Sequence, residues 1–226
     1  MGDRILDCSD IDRYLGKPMQ PARMRDPVAP NDIRRWAQGM HYPNRLHYDD
    51  DFAAESRFGR LVAPQSFAVA MDYGHGCHPA GVGKIPGSHL IFGGEEWWFF
   101  GSLIRPGDKL FQQRRFDGYD VKDTSFAGPT VFQRGDTEHR NQHGVLVARE
   151  RATAIRYLIA EANRRGVFGK ERATPKRWDK QELAEIHELR LSWILSNREG
   201  RSPRWADVQV GDKLPRRVIG LSPPPV

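Results

Sequence analysis

The chain has 226 residues, a hydrophobic fraction of 38% and a net charge of +6, which suits one good-sized packed domain with an appendage. No run approaches the ~18 apolar residues that a transmembrane helix needs, the N-terminal MGDRILDCSDIDRYLG lacks the apolar stretch of a secretory leader, and two cysteines, Cys8 and Cys77, are too few for a disulfide framework. A cytoplasmic location is expected, and the basic balance favours an anionic partner only weakly.

In chain order, MQPARMRDPVAP is a proline-punctuated lead-in without periodicity. NDIRRWAQGM reads as a short helix capped by Asn31, with Ile33, Trp36 and Ala37 on one face. HYPNRLHYDD is a loop, because Pro43 and Asn44 break any pattern, and DDFAAESRFG is a helical turn or two, capped by an Asp and closed by Gly59. Pro64 suits a helical first turn, and Phe67, Ala68, Ala70 and Met71 then predict a small-residue helix buried nearly all round. His75 to His89 is glycine-rich and reads as a loop.

The period then changes to two. HLIFGGEEWWFFGSL, DKLFQQRRFDGYDV, PTVFQRGDTEHRN and GVLVARERATAIRYLI predict a meander of about four strands. A Pro-Gly-Asp turn lies in LIRPGDKL, and NQHG reads as a tight hairpin turn ending on Gly144. An antiparallel sheet wrapped around one central helix is the economical arrangement. Past Ile159 the chain turns polar and basic, as in a linker. DKQELAEIHELRLSWILSNREG is a helix with an Asp179/Glu182 capping start and an apolar stripe through Leu183, Ile186, Leu189 or Arg190, Trp193 and Ile194. The segment after Ser202 holds one strand's worth of apolar residues before a proline-rich end.

Several clusters invite chemistry. His75, Cys77 and His78 include metal-ligand types, but no second cluster of suitable spacing exists, so no metal is expected. Alternation along EEWWFF places Glu96, Trp98 and Phe100 on one face and Glu95, Trp97 and Phe99 on the other, a pattern for core and interface packing. Arg105, Lys109, Arg114, Arg115, Arg134 and Arg140 are spread over several strands; a solvated surface is the default, with phosphate contact by one or two as the functional option. The basic residues form no stripe and no nucleic-acid motif appears, so no nucleic-acid partner is expected.

NRLHYDDDFAAESRFGRLVAPQSF, GGEEWWFFGSLIRPGDKL and RNQHGVLVARERATAIRY, taken in order, resemble the MaoC-like dehydratase family, and in particular its N-terminal-type hot-dog domain, over about Arg34 to Tyr157. The resemblance implies an α+β hot-dog fold over residues 1–160. A basic linker and amphipathic helix over 161–200 would follow, then the start of a second hot-dog unit over 201–226, where WADVQVGDKLP resembles such an opening.

It also implies an acyl-CoA or other acyl-thioester ligand, no cofactor beyond the coenzyme A of the substrate, and pairing with a like or different hot-dog subunit. Family members hydrate or dehydrate acyl thioesters, as in fatty acid metabolism, and carry an Asp-x-Asn-Pro-(apolar)-His-x-Asp run. YPNRLHYD matches it at Asn44, Leu46, His47 and Asp49, with Tyr42 in place of the first Asp. Addition of water to a conjugated double bond needs a base for the water and a proton for the α-carbon, and a phenol is a poor base at neutral pH.

A second departure follows. Where catalytic relatives place His-Gly at the start of the central helix, this chain has Ala63-Pro64, so oxyanion donors would come from Gln65 or Ser66, with Phe67 beside them. The candidate catalytic residues are therefore His47, Tyr42, Asn44 and Asp49, and the candidate substrate-binding residues Gln65, Ser66 and Phe67. A substrate-holding subunit of a heteromeric hydratase is favoured over a hydratase with a modified site. A hot-dog thioesterase and a basic interaction module remain as alternatives.

Overall fold

A computed structural model describes residues 6–24, 26–42, 44–71, 79–166, 177–198 and 204–213. The chain forms two compact units, Met1–Ala29 with Gln65–Arg172 and Pro30–Pro64 with Ala173–Val226.

The first unit is built on a five-stranded sheet of order β1-β3-β4-β5-β2. The strands are β1 (Ala22–Arg23), β2 (Ser88–Phe99), β3 (Phe111–Thr124), β4 (Gly128–Arg140) and β5 (Leu146–Leu158). Every pairing is antiparallel. The last four are the strands expected from the period-two runs. β1 falls in the lead-in that showed no periodicity, because a two-residue strand is defined by the edge of β3 it joins and not by its own pattern.

Both predicted turns form. Gly107 closes the Pro-Gly-Asp turn at φ 89°, where Asp108 accepts from the Arg105 amide at 2.8 Å. Gly144 donates to the Asn141 carbonyl at 2.9 Å with φ 75°, a conformation that costs glycine little. Bulges at Phe92/Gly94 and Phe116/Gly118 bend β2 and β3.

One face of the sheet carries the core. Leu6, Ile11, Val82, Ile85, Phe116, Val131 and Leu158 form one buried cluster, to which the short helix α1 (Ser9–Asp12) contributes Ile11. A 3-10 turn, Pro79–Gly81, lies against β4. It approaches so closely that a Cβ on Gly135 would stand 2.5 Å from the Ala80 nitrogen. Buried Arg156 holds the following backbone down, donating to the carbonyls of Gly81 at 3.0 Å and Gly83 at 2.6 Å and to the side chain of Gln133. Gln133 in turn donates to the Val82 carbonyl at 2.8 Å.

The central segment differs from expectation. Gln65–Met71 is a 3-10 helix, with Phe67 and Ala68 buried but Val69 and Ala70 exposed. Small side chains at 68 and 70 are nearly indifferent to burial, so the sequence pattern could not separate one-sided from all-round burial. The glycine-rich stretch expected from His75 begins outside the described residues.

The opposite face is ionic. Asp136 is buried and ion-paired with Arg149, with Arg151 at 2.8 Å and with Arg115 at 3.3 Å. Burial alone would raise its pKa, but hydrogen bonds from Arg151 and Arg149 outweigh it and bring it down to about 2. Of the cations considered for phosphate contact, Arg115, Arg134 and Arg140 are each paired with a carboxylate. β2 lies at the sheet edge, with Phe92, Trp98, Phe99 and Phe100 exposed. Trp97 and Phe99 share a face, as the alternation predicts, with ring centroids 6.1 Å apart. After β5 the chain enters a helix, α4 (Ile159–Arg164), where a linker was expected, and its Ala162 packs with Ala127 and Tyr157.

In the second unit, α2 (Pro30–Gly39) begins at Pro30, so Asn31 lies inside the helix and does not cap it. Ile33 and Ala37 are its buried residues. Arg45–His47 is a 3-10 turn where the sequence suggested an irregular loop, followed by α3 (Asp50–Glu55). The helix α5 (Lys180–Arg198) opens with a complete capping box: the Glu182 amide donates to Asp179 at 2.9 Å and the Asp179 amide to Glu182 at 3.1 Å. Ile186, Trp193 and Ile194 of its stripe are partly covered, whereas Leu183 and Leu189 are exposed.

Of the segment after Ser202, where one strand-like stretch was expected, residues 204–213 are described, and the rest lies outside the described residues. Trp205–Asp207 is a 3-10 turn with Trp205 94% exposed, and Asp212 accepts from the Gln209 amide in a second turn.

Candidate active site

The residues around His47 are positioned by α2 and the two turns that follow it. α2 ends in a Schellman cap: the His41 amide donates to the Gln38 carbonyl at 2.9 Å and the Tyr42 amide to the Ala37 carbonyl at 2.8 Å. His41 takes the left-handed conformation there, φ 50°, a place usually filled by glycine. The cap aims Tyr42 back along the helix. Asn44 then caps the 3-10 turn, its side chain accepting from the Leu46 amide at 3.0 Å. Asp49 caps α3 through the Phe52 amide at 3.0 Å and is ion-paired with Arg45 at 2.8 Å.

His47 is buried, with 5% of its surface exposed. Its Nδ1 lies 2.7 Å from the Val62 carbonyl oxygen. A carbonyl only accepts, so Nδ1 carries the proton and Nε2 keeps its lone pair. Nε2 is buried without a hydrogen-bond partner among the described residues. Burial pushes the His47 pKa below its ordinary 6.5, against the smaller opposing pull of the Val62 bond. At neutral pH the ring is therefore an uncharged, oriented base.

The Tyr42 ring stands 5.2 Å from that imidazole, centroid to centroid, tilted by 31°. Tyr42 also walls a cavity of about 420 Å³ together with Ala37, His41, Tyr48, Ile194 and Arg34.

Of the four residues considered for chemistry, the structure thus brings Tyr42 and His47 into contact, while the side-chain oxygens of Asn44 and Asp49 hold local caps. The Asp49 carboxyl lies below its ordinary range because of the Phe52 amide first and Arg45 second. Gln65, Ser66 and Phe67 open the 3-10 helix of the other unit, with Gln65 exposed and Phe67 buried.

Sequence reasoning passed over His139, which is buried on β4, stacked on Trp97 with ring centroids 5.3 Å apart and 4.0 Å from Glu150. Its alternation with Thr137 and Gly135 was the available signal. Among the described residues no cluster of His, Cys, Asp and Glu is arranged to hold a metal, and Cys8 is a free thiol; His75, Cys77 and His78 lie outside them. No described helix is long and apolar enough to cross a membrane.

A curled antiparallel sheet of this topology, with a short helical turn seated on its core face, is a hot-dog fold. The sequence model of the FAS1-like dehydratase domain region matches residues 14–150. The chain belongs to that family, a MaoC-like branch of the hot-dog proteins.

Among solved structures it is similar to the ChsH1-ChsH2 complex from Mycobacterium tuberculosis, at 17% identity, covering 75% of this chain and 96% of that one, with a TM-score of 0.54. It is also similar to the MaoC-like dehydratase from Rhodospirillum rubrum, at 22% identity, covering 66% and 95%, TM-score 0.48. A third is the unliganded R-hydratase PhaJ1 from Pseudomonas aeruginosa, at 19% identity, covering 72% and 93%, TM-score 0.45. No curated protein matches the chain.

Proposed function

We propose that this chain is an acyl-CoA-binding subunit of the enoyl-CoA hydratase/3-hydroxyacyl dehydratase type, with His47 as its proton-handling group and a second hot-dog subunit completing the site. One observation carries the reading. His47 presents a neutral, tautomerically fixed Nε2, yet the position five residues earlier, where the family motif has a carboxylate, is Tyr42, and Asp49 is occupied as a cap.

In hydration, Nε2 accepts a proton from water as its oxygen bonds to the β-carbon. The electron pair of the double bond moves to the thioester oxygen as an enolate, and a proton returns to the α-carbon. His47 serves the first step; the group that assists the second and the donors to the enolate oxygen come from the partner. The hot-dog neighbour of TM-score 0.54 is itself a complex of two named chains, which supports a two-subunit arrangement.

The test uses crotonyl-CoA with the chain alone and co-expressed with a neighbouring hot-dog subunit. The chain alone is expected to bind the thioester without hydrating it. The pair is expected to hydrate it, and His47→Ala in the pair to lower kcat by about a hundredfold, as for loss of a general base. Full-rate hydration by the chain alone, or no binding of acyl-CoA, would overturn the reading. Release of free coenzyme A thiol in place of hydration would make the protein a thioesterase.

A further inference from the structure

We propose that the cavity beside Tyr42 receives an acyl group ending in a carboxylate, and that Tyr42 separates it from His47. The inference rests on the acyl-thioester reading above and names the substrate class. At about 420 Å³ the cavity falls in the range of small-molecule sites and suits an acyl group better than a coenzyme A nucleotide.

Its walls are apolar where an alkyl chain would lie: Ala37, Ile194 and the faces of Tyr42 and Tyr48. Its charged lining side chain is Arg34, and Gln38, His41 and the two tyrosine hydroxyls are its other polar groups. Arg34 is hydrogen-bonded to neutral oxygens, Gln38 at 3.3 Å and Asn31 at 3.4 Å, and among the described residues it has no carboxylate partner. His41 Nδ1 lies 3.0 Å from Arg190 Nη2; a guanidinium only donates, so Nδ1 accepts and the proton of the neutral ring sits on Nε2. Among the described residues no acidic side chain lines the cavity. A pocket with an apolar body, an arginine and no carboxylate of its own selects a ligand with an apolar body and an anionic end.

Two further observations bear on the site. His41 keeps a left-handed backbone at a cap position where glycine would be unstrained, and such strain at a cavity wall is retained where the side chain has a use. The Tyr42 ring packs on the imidazole whose Nε2 is buried. In this proposal Tyr42 is the side chain between the cavity it walls and the His47 ring it packs on, and an acyl group in the cavity displaces it.

The experiment compares adipoyl-CoA with hexanoyl-CoA, equal in chain length and differing in the terminal carboxylate, by calorimetry on the full chain. Adipoyl-CoA is expected to bind about tenfold more tightly, the scale of one charge-assisted hydrogen bond, and Arg34→Gln to erase that ratio. Ile194→Trp, which fills the cavity from α5, is expected to weaken both thioesters. Equal affinities for the two thioesters, a ratio that survives Arg34→Gln, or indifference to Ile194→Trp would overturn the proposal and leave the acyl-CoA reading standing. Arg34-dependent binding of free adipate without binding of either thioester would overturn both readings and make the cavity a free-carboxylate site. Failure of all three ligands to bind would remove both.

Discussion

His47 shows how one backbone carbonyl decides what a side chain can do. Val62 fixes the proton on Nδ1, and burial keeps the ring neutral in the folded state. In the unfolded chain the same ring titrates near its ordinary 6.5. Between that value and the depressed folded one, the unfolded state binds more protons, so stability rises with pH across this window and falls on acidification through it. Urea midpoints measured at about pH 7.5 and about pH 5.5 are expected to differ less in His47→Gln than in the wild type, since Gln can donate to Val62 without titrating. An equal drop in both proteins would show that His47 does not contribute. His47 was legible because its spacing from Asn44 and Asp49 matches a motif. The capping roles of Asn44 and Asp49 were not, since the same residue types serve caps and catalysis.

At the scale of elements, the long strands, the two glycine turns and the capping box of α5 could all be read from local sequence, because period, turn residues and caps are local causes. The seat of the Pro79–Gly81 turn on β4 could not, because it joins residues more than fifty positions apart. Gly135 makes that approach possible. Gly135→Ala would press a methyl group into backbone at Ala80 and is expected to cost about 1–3 kcal/mol, the range for overpacking a closed core. A denaturation midpoint unchanged from wild type would mean that the turn is free to lift from the sheet. The cavity was illegible for the same reason: its Arg190–His41 contact spans 149 residues.

For the whole molecule, among the described strands β2 is an edge strand whose exposed aromatic side chains stand beside its open backbone edge, a combination that promotes pairing with another chain. Light scattering at micromolar concentration is expected to give a mass above the 25.8 kDa of a single chain. A clean species at that mass would count against pairing. Trp98→Glu and Phe100→Glu together are expected to shift any assembly toward single chains. The sequence pattern alone placed EEWWFF in core or interface packing; among the described strands β2 is bonded to β5 alone, so the sheet leaves its other edge open.

The second compact unit is assembled from two distant stretches, 30–64 and 173–226. A fragment trimmed to the strands of the sheet, ending near residue 166, would therefore retain Tyr42 and His47 but lose Ile194 and Arg190. Such a fragment could pass as a hot-dog domain by fold while lacking the wall that α5 gives the cavity, so the boundary drawn by strand count and the boundary of the cavity do not coincide.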